Sequence, residues 1–187
     1  ILSQFLFYIS LKNMFKKLVF TLTLGLSLYA SNLSVSNSAI MAQTEVFGDS
    51  QITPITRDIK GELTIENSLE SIRGNIYFKT ITLISDKKDR DKNMYKLLNV
   101  DKFETISFDI KNIIKNENNY DISGILTLNG ISKDIIVKSD ISEEKSNILL
   151  NGKFSFNLTD FNLEPPSMLF LKVRDQIDIT YKIYLKR

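Results

Sequence analysis

From about residue 59 onward, apolar and polar residues alternate with a period of two. Between Gly74 and Leu83, Ile76 and Phe78 fall on one face and Tyr77 and Lys79 on the other. Ile106, Phe108 and Ile110 oppose Ser107 and Asp109. Near the C-terminus Ile177, Ile179, Tyr181, Ile183 and Leu185 alternate with Asp178, Thr180, Lys182, Tyr184 and Lys186. This pattern predicts strands with one buried and one wetted face, as in antiparallel sheets. Turn signals divide the runs: Asn67-Ser68 after Ile59–Glu66, Asn118-Asn119 between Phe103–Ile114 and Tyr120–Leu128, and Ser146-Asn147 between Ile131–Ile141 and Ile148–Leu158. Arg174-Asp175 precedes the closing strand. Asn129-Gly130 is the strongest signal, because both central residues of a type I′ turn need positive φ. The sum is an all-β domain of about eight strands joined mostly by hairpins, a sandwich or a closed up-and-down barrel.

One stretch departs from the period. Between Asp86 and Leu98, Met94, Leu97 and Leu98 recur at helical spacing, with Asp86, Asp89 and Asp91 towards the front, where acids favour a helix N-terminus. A short helix is expected, either a lid over one barrel end or a crossover that plugs it.

Composition narrows the chemistry. The 187 residues contain no Cys, His or Trp. This excludes a disulfide framework, a thiolate zinc site and nucleophilic machinery built on Cys or on a Ser–His pair. With no group that titrates naturally near pH 7, an enzyme is disfavoured; no metal and no cofactor are expected. Lys12, Lys16 and Lys17 are the only charges in the first 42 residues, so residues 43–187 carry a net −1 although the whole chain carries +2. Nothing there provides the basic face that nucleic acid requires.

The N-terminal charges have their own meaning. Met14-Phe15-Lys16-Lys17 followed by the apolar run Leu18–Ala30 has the layout of a secretory signal, too short for a confident membrane span. The expected division is upstream sequence outside the fold at 1–13, a signal peptide at 14–42 and a barrel domain at 43–187. Ala42 is the favoured cleavage residue, with Ala30 and Ser38 as competitors. A periplasmic or secreted protein, with no stable membrane span after cleavage, follows from that division.

The order of motifs resembles the YceI-like family. Asp89-Arg90-Asp91-Lys92-Asn93-Met94 with Leu97-Leu98 resembles the family's segment after its long strand, and Phe103-Glu104-Thr105-Ile106-Ser107-Phe108 its Ile-x-Phe strand. Gly124-Ile125-Leu126-Thr127-Leu128-Asn129-Gly130-Ile131-Ser132-Lys133 resembles its Gly-x-Leu-Thr hairpin. Asp160-Phe161-Asn162-Leu163 and Val173-Arg174-Asp175-Gln176-Ile177 resemble its endings. The resemblance implies a single lipocalin-like antiparallel β-barrel with one short helix. It also implies a periplasmic protein that binds a polyisoprenoid or another long-chain amphiphile. The chain departs from the family pattern in lacking His and in carrying Thr159 and Asn162 beside Asp160-Phe161.

On this reading the ligand would meet the inward face: Leu63, Ile65, Ile76, Phe78, Ile106, Phe108, Leu126, Leu128, Phe154, Phe156, Ile177 and Ile179. An eight-stranded barrel can hold one small ligand or be just filled by side chains. The alternative is therefore a structural or stress-associated domain with a filled core and no lipid. Asp86, Asp89 and Asp91 lack the Gly and closing Glu of a calcium loop, and a solvated charge cluster is the expectation there.

Overall fold

The computed structural model describes residues 30–46, 50–145, 147–168 and 171–187. Residues 1–13 and the expected leader as far as residue 29 lie outside the described residues. Among the described residues twelve strands form: β1 (Ser31–Val46), β2 (Ser50–Ile52), β3 (Ile55–Thr56), β4 (Lys60–Ile65), β5 (Arg73–Lys79), β6 (Thr105–Lys115), β7 (Tyr120–Leu128), β8 (Ile131–Glu144), β9 (Asn147–Asn157), β10 (Ser167–Met168), β11 (Leu171–Lys172) and β12 (Gln176–Lys186). The helix α1 spans Lys88–Leu97.

Eight long strands close an antiparallel barrel. They follow chain order, β1-β4-β5-β6-β7-β8-β9-β12, and the β12–β1 pairing completes the wall. The lipocalin-like barrel expected from the sequence is therefore the observed fold. On the β4 side of β1, the short strands β2 and β3 keep one register with β4: Thr44 opposes Ile52, Ile40 opposes Thr56 and Leu33 opposes Leu63. Pro54, which has no N–H to donate, lies in the gap between β2 and β3.

The domain boundary expected at residue 43 needs correction. Ser31–Gln43 belong to the barrel wall, pairing with β12 from Ser34↔Lys186 to Gln43↔Asp178. A one-residue bulge at Asn37-Ser38 interrupts this ladder, with Asn37 at φ 42°. The buried Ser38 hydroxyl repairs the break. It donates to the Ser36 carbonyl at 2.9 Å and accepts the Tyr184 N–H at 2.9 Å.

The Asn129-Gly130 turn forms as the sequence predicts, with φ values of 51° and 70°. Gly130 is required twice over, since a Cβ there would also collide with the Phe103 ring. Asn129 has a further task. Its side-chain oxygen accepts from the Asn99 amide at 2.8 Å, and its own amide donates to the Phe161 carbonyl at 3.0 Å. One turn residue thus fastens the segment after α1 and the 3₁₀ turn Leu158–Phe161 to the same end of the barrel.

The two ends are packed differently. At one end Leu33, Leu63, Ile65, Ile72, Ile113, Ile148 and Leu185 form a solid cluster at 3% exposure or less. At the other, Leu126, Leu128, Leu158, Phe161, Ile177 and Ile179 gather beneath α1, joined by Met94 and Leu97 from the helix.

Candidate functional site

The barrel holds a cavity of about 1040 Å³ at the α1 end. This is the size of a small-molecule site. Its walls are Ile76 and Phe78 of β5, Ile106 and Phe108 of β6, Leu126 and Leu128 of β7, Phe154 and Phe156 of β9, and Ile177 and Ile179 of β12. These are ten of the twelve inward positions read from the sequence. Leu63 and Ile65 do face inward, but at 2% and 1% exposure they belong to the solid end and do not line the cavity. Where the sequence left open a hollow or a filled barrel, the fold has one half of each kind.

The rim residues come from segments whose sequence has no strand period. Asp89, Arg90, Asn93 and Lys96 of α1 line the mouth, with Asn162 and Glu164 from the loop after the 3₁₀ turn. The expected helix therefore covers the hollow end rather than the solid one. It is held there by the Tyr95 hydroxyl, 2.6 Å from the Leu83 carbonyl and 2.9 Å from that of Ile81. Burial, and after it the charge of Asp91, push the Tyr95 phenol up.

The three aspartates near the helix have separate structural uses. Asp91 accepts the Ser85 N–H at 2.8 Å, Asp86 pairs with Arg90 at 2.7 Å and Asp89 pairs with Lys92 at 3.1 Å. Among the described residues, no three His, Cys, Asp or Glu side chains gather in a way that could hold a metal ion.

Deeper in the cavity wall lies Tyr181, which the sequence marked only as an alternating position. It lies over Gly152, its partner across the β9–β12 ladder, and a Cβ at 152 would strike the phenol. The hydroxyl is buried and has no hydrogen-bond partner among the described residues; the nearby Ser139 hydroxyl donates instead to the Asn151 carbonyl at 3.2 Å. Burial pushes the Tyr181 phenol up to about 12. Because the folded value lies above the unfolded one, this contribution to stability is intact below about pH 10 and is lost as pH rises towards 12. At about pH 11 the wild type should lose about 1 kcal/mol that Tyr181→Phe does not lose. Urea midpoints of both proteins at pH 8 and pH 11 check this; parallel losses would refute it.

The YceI-like domain model matches residues 31–185. The chain belongs to the YceI-like family. The match begins at Ser31, the first residue of β1. A UPF0312 protein of Yersinia enterocolitica is 25% identical over 171 residues, covering 80% of this chain and 88% of that protein. A UPF0312 protein of Pseudomonas syringae pv. tomato is 28% identical over 123 residues, covering 60% of this chain and 62% of that one. Among solved structures, BcnA of Burkholderia cenocepacia superimposes with a TM-score of 0.69 at 12% identity, covering 79% of this chain and 95% of that one. A polyisoprenoid binding domain from Saccharophagus degradans, described as implicated in plant cell wall breakdown, gives 0.66 at 9% identity, covering 82% and 97%. At these identities the likeness is one of fold. YceI-like domains form a family of binding proteins.

Proposed function

We propose that this YceI-like barrel holds a polyisoprenoid or a similar long-chain amphiphile, with the apolar chain inside and the polar end at the α1 rim. The observation that carries the reading is the division of the cavity. Its barrel walls are mainly aliphatic and aromatic and carry no charge, while the charged lining residues Asp89, Arg90, Lys96 and Glu164 come from α1 and the loop after the 3₁₀ turn, at the mouth. A charge deep among those walls would cost several kcal/mol unless neutralised, so a ligand's polar end belongs at the rim. Each buried CH₂ contributes about 0.8 kcal/mol, so a five-carbon unit offers roughly 3–4 kcal/mol. A few such units outweigh the several kcal/mol lost in ordering the ligand. The Saccharophagus degradans structure, a polyisoprenoid binding domain, supports the same reading through its shared fold.

The role proposed for the protein is carriage or sequestration after export, the export resting on Met14–Lys17 and the Leu18–Ala30 run. Native mass spectrometry of protein purified from its own host, followed by lipid extraction, is the direct test. A retained apolar-chain lipid is expected. Protein free of lipid that also fails to take up geranylgeraniol would overturn the proposal.

A further inference from the structure

The barrel wall is not hydrogen-bonded all the way round. The β8–β9 ladder runs from Glu144↔Asn147 to Lys138↔Lys153 and stops there. Both strands continue. β8 stays paired with β7 as far as Leu128↔Ile131, and β9 stays paired with β12 as far as Gln176↔Asn157. Continued in register, Val137 would oppose Phe154 and Ile135 would oppose Phe156, but these rungs are not made. All four residues line the cavity, two on each bank of the gap.

Two further observations place exposed side chains along the banks of this seam. Lys133 opposes the buried Leu126 across the β7–β8 ladder, which places it on the inner face, yet Lys133 is exposed. Ile136, on the outer face of the same stretch, is 71% exposed and forms an apolar outer lip.

The geometry points to this seam as the portal through which a flexible apolar chain enters and leaves the cavity, an inference that rests on the carrier reading above. Closure normally abolishes free strand edges in a barrel. Parting β5 from β6, β6 from β7, β7 from β8 or β9 from β12 breaks backbone hydrogen bonds worth about 1 kcal/mol each, and where β4 leaves β1 the strand β3 pairs in its place at Ile40↔Thr56 and Met41↔Ile55, whereas parting β8 from β9 here breaks none. Passage beneath α1 is the costlier route. It must release the Tyr95 contacts, the Asn99–Asn129 hydrogen bond and the packing of Met94 and Leu97. A long chain, unlike a compact ligand, can also be drawn sideways through a slit one segment at a time.

The test exploits the absence of native cysteine. Ile136→Cys/Ser155→Cys puts one thiol on each bank, and a short bis-maleimide joins them. Asn151→Cys/Lys182→Cys, on a paired β9–β12 rung, is the control staple. Uptake of geranylgeraniol from phosphatidylethanolamine/phosphatidylglycerol vesicles is followed by rate and by final occupancy. The seam staple should slow uptake and release about tenfold or more while leaving occupancy unchanged, as expected of a gate rather than a binding contact. The control staple should change neither. Uptake at the wild-type rate through a stapled seam would overturn the portal and send the chain past α1. A dimer whose seam cysteines are shielded from maleimide would overturn it in favour of strand docking by a second copy. Absence of uptake by the uncrosslinked wild type would be a different failure, that of the carrier reading itself, and would take the portal with it.

Discussion

A chain that begins at Gln43 should fail to form the barrel, whereas one that begins at Ser31 should fold and melt cooperatively. Removing residues 31–42 takes away the buried Leu33, the half-buried Val35 and Ile40, and nearly all of the ladder that joins β1 to β12. Losing the Leu33 side chain alone is expected to cost about 2–5 kcal/mol. Total stabilities of single domains are about 5–15 kcal/mol, so the loss of the whole strand exceeds what the domain can bear. The edges of β12 and β4 would also be left open to pairing with other chains. Circular dichroism and thermal melts of the two chains decide the matter; a cooperative transition in the shorter one would refute it. For the exported protein proposed above, the mature N-terminus then falls at or before Ser31, which favours Ala30 over Ala42 as the cleavage residue.

Ile106→Trp should leave stability almost unchanged while sharply reducing ligand capacity. Ile106 lines the cavity, opposite Phe78 across the β5–β6 ladder, where added bulk finds empty space. Leu63→Phe is the contrasting substitution. Leu63 is 2% exposed in the solid end, where overpacking typically costs about 1–3 kcal/mol. Urea unfolding of both variants, together with geranylgeraniol binding, separates the two halves of the barrel. If Ile106→Trp were as destabilising as Leu63→Phe and left binding intact, the hollow half would not be the ligand site.

The strands legible in the sequence were those whose alternation runs unbroken. β7 occupies Tyr120–Leu128 as expected, and the last strand closes the barrel as Gln176–Lys186. β1 was hidden by its own bulge. Inward residues fall on odd numbers at Leu33 and Val35, but on even numbers at Ile40 and Ala42 after the extra residue at Asn37-Ser38. A period-two reading cannot survive that shift, and the stretch passes instead for the end of a leader. The same effect cuts β6. Its alternation through Ile106, Phe108 and Ile110 resumes one residue out of step at the buried Ile113.

Periodicity also gives a face without giving a depth. It set Leu63 and Ile65 on the same footing as Ile76 and Phe78, although only the latter pair reaches the hollow half. The rim residues Arg90, Asn93 and Lys96 could be placed on a helix, but which barrel end that helix covers depends on long-range contacts such as Asn99–Asn129. Asn129 itself was legible as a turn former and illegible as a fastener.

The uneven filling of the barrel divides its free energy as well as its space. The tightly packed strand ends around Ile65, Ile148 and Leu185 concentrate the apolar burial that holds the native state against global unfolding. The strand ends around the cavity hold less packing of their own, and the β8–β9 edge there contributes no ladder hydrogen bonds. Local opening of the mouth half can therefore occur at a smaller free energy than loss of the fold. Loading and unloading then draw on sub-global fluctuations, while the lifetime of the folded chain is governed by the opposite end.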